Sequence, residues 1–209
     1  MKKKFTLPAL AACALLAAYS LPAAADGGPY VAADLGRSHF SGGIFDQFSG
    51  PGTTVSDTDS AYRFTFGYQF TPYWGFEAGY VGLGQGNSSY REPPSMGFTA
   101  TGTRSAKVYG FYAAGTGTLP ISDRWSLYAR AGTFASTVES DFQCNNGDCS
   151  LGGGPQQQSG AGATYGVGAK WNFSPDWSLR LGWDHYSNLG DDSFTANLLS
   201  LGIEWHFFQ

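Results

Sequence analysis

The sequence is poor in charge, in cysteine and in methionine. Only 28 of its 209 residues are charged, whereas 34 are aromatic. A disordered chain has the opposite balance, so disorder is excluded. Thirty glycines beside those aromatics exclude a helical bundle, because glycine is a poor helix residue and aromatics favour strands. An excess of basic residues is missing too. Twelve Lys and Arg stand against sixteen Asp and Glu, which argues against a nucleic-acid partner. The length suffices for one domain with a sizeable core. Mean hydropathy is −0.21, a value that taken alone points to a soluble protein.

The first 25 residues read as an address. Lys2, Lys3 and Lys4 form a positive start, an apolar run follows over 5–21, and Ala23-Ala24-Ala25 is a small-residue cleavage site. This is the pattern of a secretory signal peptide over 1–25, leaving 26–209 as the mature domain. Leu10-Ala11-Ala12-Cys13 has the form of a lipobox, but the apolar run continues past Cys13 and puts it inside the signal. Cleavage after Ala25 leaves 184 residues with all 30 glycines, 32 aromatics and a net charge of −7. They contain no apolar run of about eighteen residues, so no helix is expected to span a bilayer.

Two cysteines remain, Cys144 and Cys149, five apart in a polar Gly/Asn segment. In an exported protein they are expected to form a local disulfide, which closes a short loop and stabilises the fold modestly. A metal site lacks a nearby histidine and the CxxC spacing. His39 and His206 have no spaced metal partner either, and no cofactor is implied. Gly82-x-Gly84-x-Gly86 ends a strand pattern and does not open a helix, so it is not a dinucleotide fingerprint.

One unit repeats about every 50 residues. Phe70-Thr71-Pro72-Tyr73-Trp74, Leu119-Pro120-Ile121-Ser122-Asp123-Arg124-Trp125 and Phe173-Ser174-Pro175-Asp176-Trp177 each join a Pro-containing turn to a tryptophan. Apolar and polar residues alternate on both sides of each turn, as in strands. Tyr62, Phe64, Phe66 and Tyr68 alternate with Arg63, Thr65 and Gly67, and Trp177, Leu179, Leu181 and Trp183 alternate with Ser178, Arg180, Gly182 and Asp184. Eight such strands are countable, with the facing of 107–118 ambiguous. One face is apolar and aromatic; the other carries charge and glycine. Aromatics gather beside the short turns, and longer polar loops are expected at 41–60, 85–102, 136–160 and 188–194. These features predict an all-β fold, an eight-stranded antiparallel transmembrane up-and-down β-barrel with apolar residues outward. The low hydropathy then averages two faces in different solvents.

Inward positions carry Asp34, Arg63, Glu77, Arg130, Lys170, Arg180, Asp184 and Glu204. Counted up from the short turns, Asp34, Glu77, Lys170 and Arg180 lie at similar depth, Glu204 slightly below, and Arg63, Arg130 and Asp184 higher. The third turn sets Lys170 opposite Arg180, so a carboxylate, Glu77 or Glu204, is expected between them. Side chains fill a barrel this small, so the charges read as a plug; a narrow gated solute channel is the alternative.

Several segments resemble OmpA-like outer-membrane barrels. They are Trp74-Gly75-Phe76-Glu77-Ala78-Gly79-Tyr80, the hairpin 120–132, Tyr165-Gly166-Val167-Gly168-Ala169-Lys170, and the last strand at 198–207. Within that strand, Ser200, Gly202, Trp205 and Phe207 resemble the family's C-terminal assembly signal, although Phe208 and Gln209 follow the final aromatic. The resemblance covers essentially the whole mature chain. It implies a barrel without the periplasmic peptidoglycan-binding domain of full-length members. It also implies the bacterial outer membrane as location after export, with membrane lipid, lipopolysaccharide and the barrel-assembly machinery as partners. The expected role is structural or interactional, through exposed loops that meet surface ligands, in a monomer without catalysis. Loop 136–160 is the expected contact surface.

One constellation carries a catalytic alternative. His185-Tyr186-Ser187-Asn188 resembles the His-x-Ser-Asn segment of lipid A deacylases of the PagL type, whose His and Ser work with a Glu on the lipid-facing side. Here the position for that acid holds Asn197. A serine nucleophile needs a base and the base needs an orienting acid, so an interfacial His185 and a loop-starting Ser187 are the preferred reading.

Overall fold

The computed structural model describes residues 27–41, 54–56, 58–91, 101–146, 156–189 and 194–207. They form nine antiparallel strands: β1 (Pro29–Ser41), β2 (Thr54–Ser56), β3 (Thr58–Gln69), β4 (Trp74–Arg91), β5 (Thr101–Pro120), β6 (Trp125–Asn146), β7 (Gln156–Asn172), β8 (Trp177–Leu189) and β9 (Phe194–His206). The three-residue β2 pairs with the far end of β4. The other eight pair in chain order, and β9 closes on β1. A closed sheet leaves no free edge in the hydrocarbon, which a membrane-spanning sheet requires.

The three repeated turns share one construction. Phe70 N donates to Trp74 O at 2.9 Å, Ile121 N to Trp125 O at 2.8 Å, and Phe173 N to Trp177 O at 3.2 Å. Thr71 Oγ1 accepts from Trp74 N at 3.0 Å and Ser122 Oγ from Trp125 N at 3.1 Å. In these two turns a hydroxyl satisfies the tryptophan amide that opens the next strand; in the third, Trp177 N donates to Ser174 O at 3.4 Å.

The stagger of the barrel follows from its register. A row of opposed residues leaves β3 at Thr58, passes His39, Asn197, His185, Tyr165, Ala131, Gly115 and Phe76, and returns to β3 at Tyr68. The stagger is therefore ten residues, which for eight strands sets a tilt of about 40°.

Alternation sorts the two faces. Leu35, Phe64, Phe66, Val167, Leu181, Leu199 and Leu201 are exposed on the outside, in the position of the lipid. Trp125 stacks on Trp171 with ring centroids 6.1 Å apart, and Trp177 on Trp205 at 5.8 Å, forming an aromatic girdle beside the short turns. On β5, Ala106, Val108, Tyr112, Ala114 and Thr116 are buried while Lys107 and Phe111 are exposed, which resolves the facing that composition left ambiguous.

The strands run farther than the alternation predicts. β4 reaches Arg91, β5 starts at Thr101, β6 reaches Asn146 and β7 starts at Gln156, so much of the expected loops at 85–102 and 136–160 is sheet. A membrane crossing needs only about ten residues per strand. Beyond the bilayer the outer face no longer has to be apolar, so the pattern fades while backbone pairing continues.

Candidate functional site

The eight charged residues expected on the inward face are all buried. Six of them close into a ring of alternating sign. Arg63 Nε meets Asp34 Oδ2 at 2.9 Å, and Asp34 Oδ1 lies 3.0 Å from Arg180 Nε. Arg180 Nη1 reaches Glu77 Oε1 at 3.3 Å, and Glu77 Oε2 reaches Arg130 Nη1 at 3.0 Å. Arg130 Nε meets Asp184 Oδ1 at 2.5 Å, and Asp184 Oδ2 returns to Arg63 Nη1 at 2.6 Å. The Asp34–Arg180 contact is a charge contact whose angle is not that of a hydrogen bond.

The remaining pair hangs from this ring. Lys170 and Arg180 are opposed in register, and Glu204 lies between them, with Oε1 2.7 Å from Lys170 Nζ and Oε2 2.9 Å from Arg180 Nη1. Depths counted from the turns need one correction. Asp34 and Arg63 are directly opposed across β1 and β3, so they share a level. Counting from turns omits the stagger between strands.

Aromatic rings line the charged tier. Tyr30 Oη donates to Glu77 Oε1 at 2.9 Å. The Tyr128 ring faces three cations, Arg130 at 5.4 Å, Lys170 at 5.5 Å and Arg180 at 5.6 Å from its centroid. Gly166 and Gly202 lie against the carboxylates of Asp184 and Asp34, in space that a Cβ would fill.

Above the charges, away from the short turns, sits a second tier that composition alone does not reveal. Phe40, Leu83, Val108, Phe134, Tyr186, Leu189, Phe194 and Leu198 are buried in one apolar cluster. Continuing the alternation past Asp34 through Ser38 to Phe40, and past Asp184 to Tyr186, is the signal that finds them. The lumen is thus filled twice, once by ion pairs and once by hydrocarbon.

At the outer rim, His185 is half-buried against the Tyr165 ring, centroids 4.9 Å apart. Its Nδ1 lies 2.9 Å from Asn197 Oδ1. Ser187 Oγ donates to Ala163 O at 3.1 Å and accepts from Ala163 N at 3.2 Å. An amide oxygen orients the ring but lacks the negative charge that stabilises an imidazolium during hydrolysis.

The residues expected to form a C-terminal assembly signal have structural contacts. Ser200 is buried and accepts from Arg63 Nη2 at 3.3 Å, Gly202 opposes Asp34, and Trp205 stacks on Trp177 and lies 4.3 Å from Phe207. Cys144 lies on β6, but its side chain and the whole of Cys149 fall outside the described residues, as do the signal peptide, Phe208 and Gln209. No group of three metal-ligating side chains occurs among the described residues.

The family model for the outer membrane protein beta-barrel domain matches residues 9–207. The chain belongs to that family. Outer membrane protein A of Serratia marcescens is 28% identical over 217 residues, covering 99% of this chain and 57% of the relative. That of Klebsiella pneumoniae is 28% identical over 176 residues, covering 81% and 46%. The chain therefore spans about half the length of these relatives. Among solved structures, neisserial surface protein A superposes with a TM-score of 0.59 at 17% identity, over 86% of this chain and 97% of that one. OprG from Pseudomonas aeruginosa gives 0.50 at 13% identity, over 86% and 97%. These two share the fold. The barrel is OmpA-like, and its place is the bacterial outer membrane.

Proposed function

We propose that the barrel serves the envelope as a structural element and a surface-contact module, without catalysis. The observation that carries this reading is the projection of β4 to β7. β5 has 20 residues and β6 has 22, about twice what a crossing needs. They lift a hydrogen-bonded polar sheet beyond the apolar belt. A filled lumen fits the same role, since it braces the wall and leaves little room for solute. His185 held by a neutral amide, and Ser187 held by backbone, support a rim without hydrolysis.

In this reading residues 1–25 direct export and the barrel-assembly machinery recognises Ser200, Gly202, Trp205 and Phe207. Cys144 and Cys149 close the β6–β7 connection as a disulfide. The barrel works as a monomer, in contact with membrane lipid and lipopolysaccharide, and its loops meet extracellular surfaces.

The test is complementation of a deletion strain by the full chain and by a barrel whose β4–β5 and β6–β7 projections are trimmed to short turns. The trimmed barrel is expected to restore resistance to detergent and large antibiotics but not adherence to surfaces. Restored adherence would remove the contact role; an intact envelope in the deletion strain would remove the structural one.

A further inference from the structure

Three tyrosines converge on one glycine of the outer face. Gly82 on β4 is opposed by Tyr62 on β3 and by Tyr109 on β5, and Tyr80 lies two residues before it on the same strand. The Tyr62 ring lies over Gly82, in space that a Cβ would fill. Its centroid is 6.1 Å from that of Tyr80, and Tyr80 is 6.3 Å from Tyr109, with interplanar angles of 36° in both pairs. Phe64 flanks Tyr62 at 6.0 Å and Phe111 flanks Tyr80 at 5.2 Å, so the rings are held from the sides. Among the described residues, the ring contacts of tyrosine with tyrosine are these two. Other tyrosines of the outer face meet different rings: Tyr165 meets Trp183 and His185, and Tyr68 meets Phe70.

One of the three has a proton acceptor. Tyr109 Oη donates to Glu139 Oε1 at 2.7 Å, and Glu139 is exposed on β6, opposite Lys107. A phenol gives up an electron far more readily when its proton can leave at the same time, and a carboxylate in hydrogen-bond contact is placed to take it. Anchoring at a membrane interface asks only for a ring with a polar tip. It does not ask for three such rings around one glycine, nor for a carboxylate on one of the hydroxyls.

From this arrangement we infer that Tyr62, Tyr80 and Tyr109 form an oxidative modification site, at which a peroxide-driven one-electron oxidant joins Tyr62 to Tyr80 as dityrosine. The first oxidising equivalent takes an electron from Tyr109 while Glu139 takes its proton. Tyr80, in ring contact, restores Tyr109 by passing on an electron; Glu139 returns its proton and that of Tyr80 goes to water. The second equivalent oxidises the exposed Tyr62, whose proton also goes to water. The two phenoxyl radicals then form a carbon–carbon bond ortho to their hydroxyls. The hydrogens on the joined carbons move through water to the two oxygens, and both phenols are restored. The two electrons and two protons reduce one hydrogen peroxide to two waters. The product staples β3 to β4 at the foot of the projecting sheet, where backbone hydrogen bonds otherwise hold the strands. The inference does not depend on what that sheet contacts.

The test treats the full barrel in lipid vesicles with a heme peroxidase and hydrogen peroxide. Dityrosine is read from its fluorescence, and the linkage from mass spectrometry after trypsin. Cleavage at arginine releases Tyr62 in residues 38–63 and Tyr80 in residues 64–91. The two peptides are expected as one joined species that has lost two hydrogen atoms, from a chain that still runs as a monomer. Tyr62→Phe and Tyr80→Phe are each expected to abolish that species, and Tyr165→Phe to leave it unchanged. Glu139→Gln is expected to slow its formation several-fold and to leave the linkage the same. Heat-modifiable gel mobility confirms that each variant is folded. Absence of the joined species, its persistence in Tyr80→Phe, or crosslinks formed only between molecules overturns the site. An unchanged rate in Glu139→Gln overturns oxidation through Tyr109.

Discussion

Lys170 on β7 stands directly opposite Arg180 on β8, two cations in register inside a closed barrel. Glu204, one strand farther, touches both. Like charges opposed in a sheet are unfavourable; Asp34 and Glu77 also reach Arg180, but among the described residues the ion-pair partner of Lys170 is Glu204 on β9. The last strand therefore contributes charge balance as well as closure, and the network completes only when β9 reaches β8.

Removing that carboxylate should be costly. Glu204→Gln leaves the buried Lys170 without its carboxylate while Arg180 keeps Asp34 and Glu77, and a loss of about 3–5 kcal/mol is expected. Urea unfolding in lipid vesicles, followed by tryptophan fluorescence, measures it. Replacing Lys170 by Met in the same chain should recover a large part, since the excess charge goes with it. A double-mutant cycle without coupling would show that the pair is not held by Glu204.

Tyr128 separates the roles of ring and hydroxyl. Its ring faces three cations, whereas its Oη makes a single 3.5 Å contact with Leu181 O. Tyr128→Phe should be nearly neutral. Tyr128→Leu should lose about 1–3 kcal/mol, because cation–π contacts contribute roughly 0.5–2 kcal/mol each when desolvated. Equal unfolding midpoints for the two variants would assign the stabilisation to packing alone.

Much of this interior is legible in alternation. A strand of period two has one free parameter, which face is inward, and a charged residue inside the membrane crossing sets it: Asp34 settles β1, Arg130 settles β6 and Glu204 settles β9, whereas Arg37, Glu139 and Asp141, nearer the outer end, are exposed on the other parity. Asp34, Arg130 and Glu204, with the other five, are buried. Levels are harder to read. Asp34 and Arg63 share a level only because of a stagger that no single hairpin reveals. The apolar tier escapes composition for a related reason. Phe40, Phe134 and Leu198 look like lipid-facing residues until parity is carried past the polar residues between. Asn197 is the opposite case. Its parity alone puts it beside His185, and the 2.9 Å contact follows.

That contact predicts inactivity toward lipid A esters. The purified barrel incubated with lipid A should release no 3-position acyl chain, as followed by mass spectrometry. Ser187 is committed to Ala163 backbone atoms, and His185 has an amide where a carboxylate is needed. Loss of one acyl chain that disappears in Ser187→Ala would reverse the assignment.

Glycine at position 67 is a space requirement. An added Cβ would run into the Tyr30 ring, whose hydroxyl donates to Glu77. Gly67→Val should therefore displace Tyr30 and destabilise by about 1–3 kcal/mol through overpacking. The variant Tyr30→Ala opens that space, so the pair Gly67→Val with Tyr30→Ala should lose less than the sum of the two. Additive losses in urea unfolding would place the strain elsewhere.

The two tiers make a prediction about conduction that neither makes alone. An ion path along the axis must cross the ring of Arg63, Asp34, Arg180, Glu77, Arg130 and Asp184, and also the layer of Phe40, Phe134, Tyr186 and Leu198. The first obstructs by filling the section with paired charge. The second obstructs by excluding water, since an apolar constriction stays dry. In planar bilayers the wild-type barrel should give no resolved single-channel steps. Glu77→Ala leaves the apolar layer in place, and Phe134→Ala leaves the charged ring, so each alone should also stay closed. The combined variant removes a part of both and should give small, irregular currents. Well-resolved steps from the pure wild-type protein would establish the channel reading, and steps from Glu77→Ala alone would show that the apolar layer does not seal.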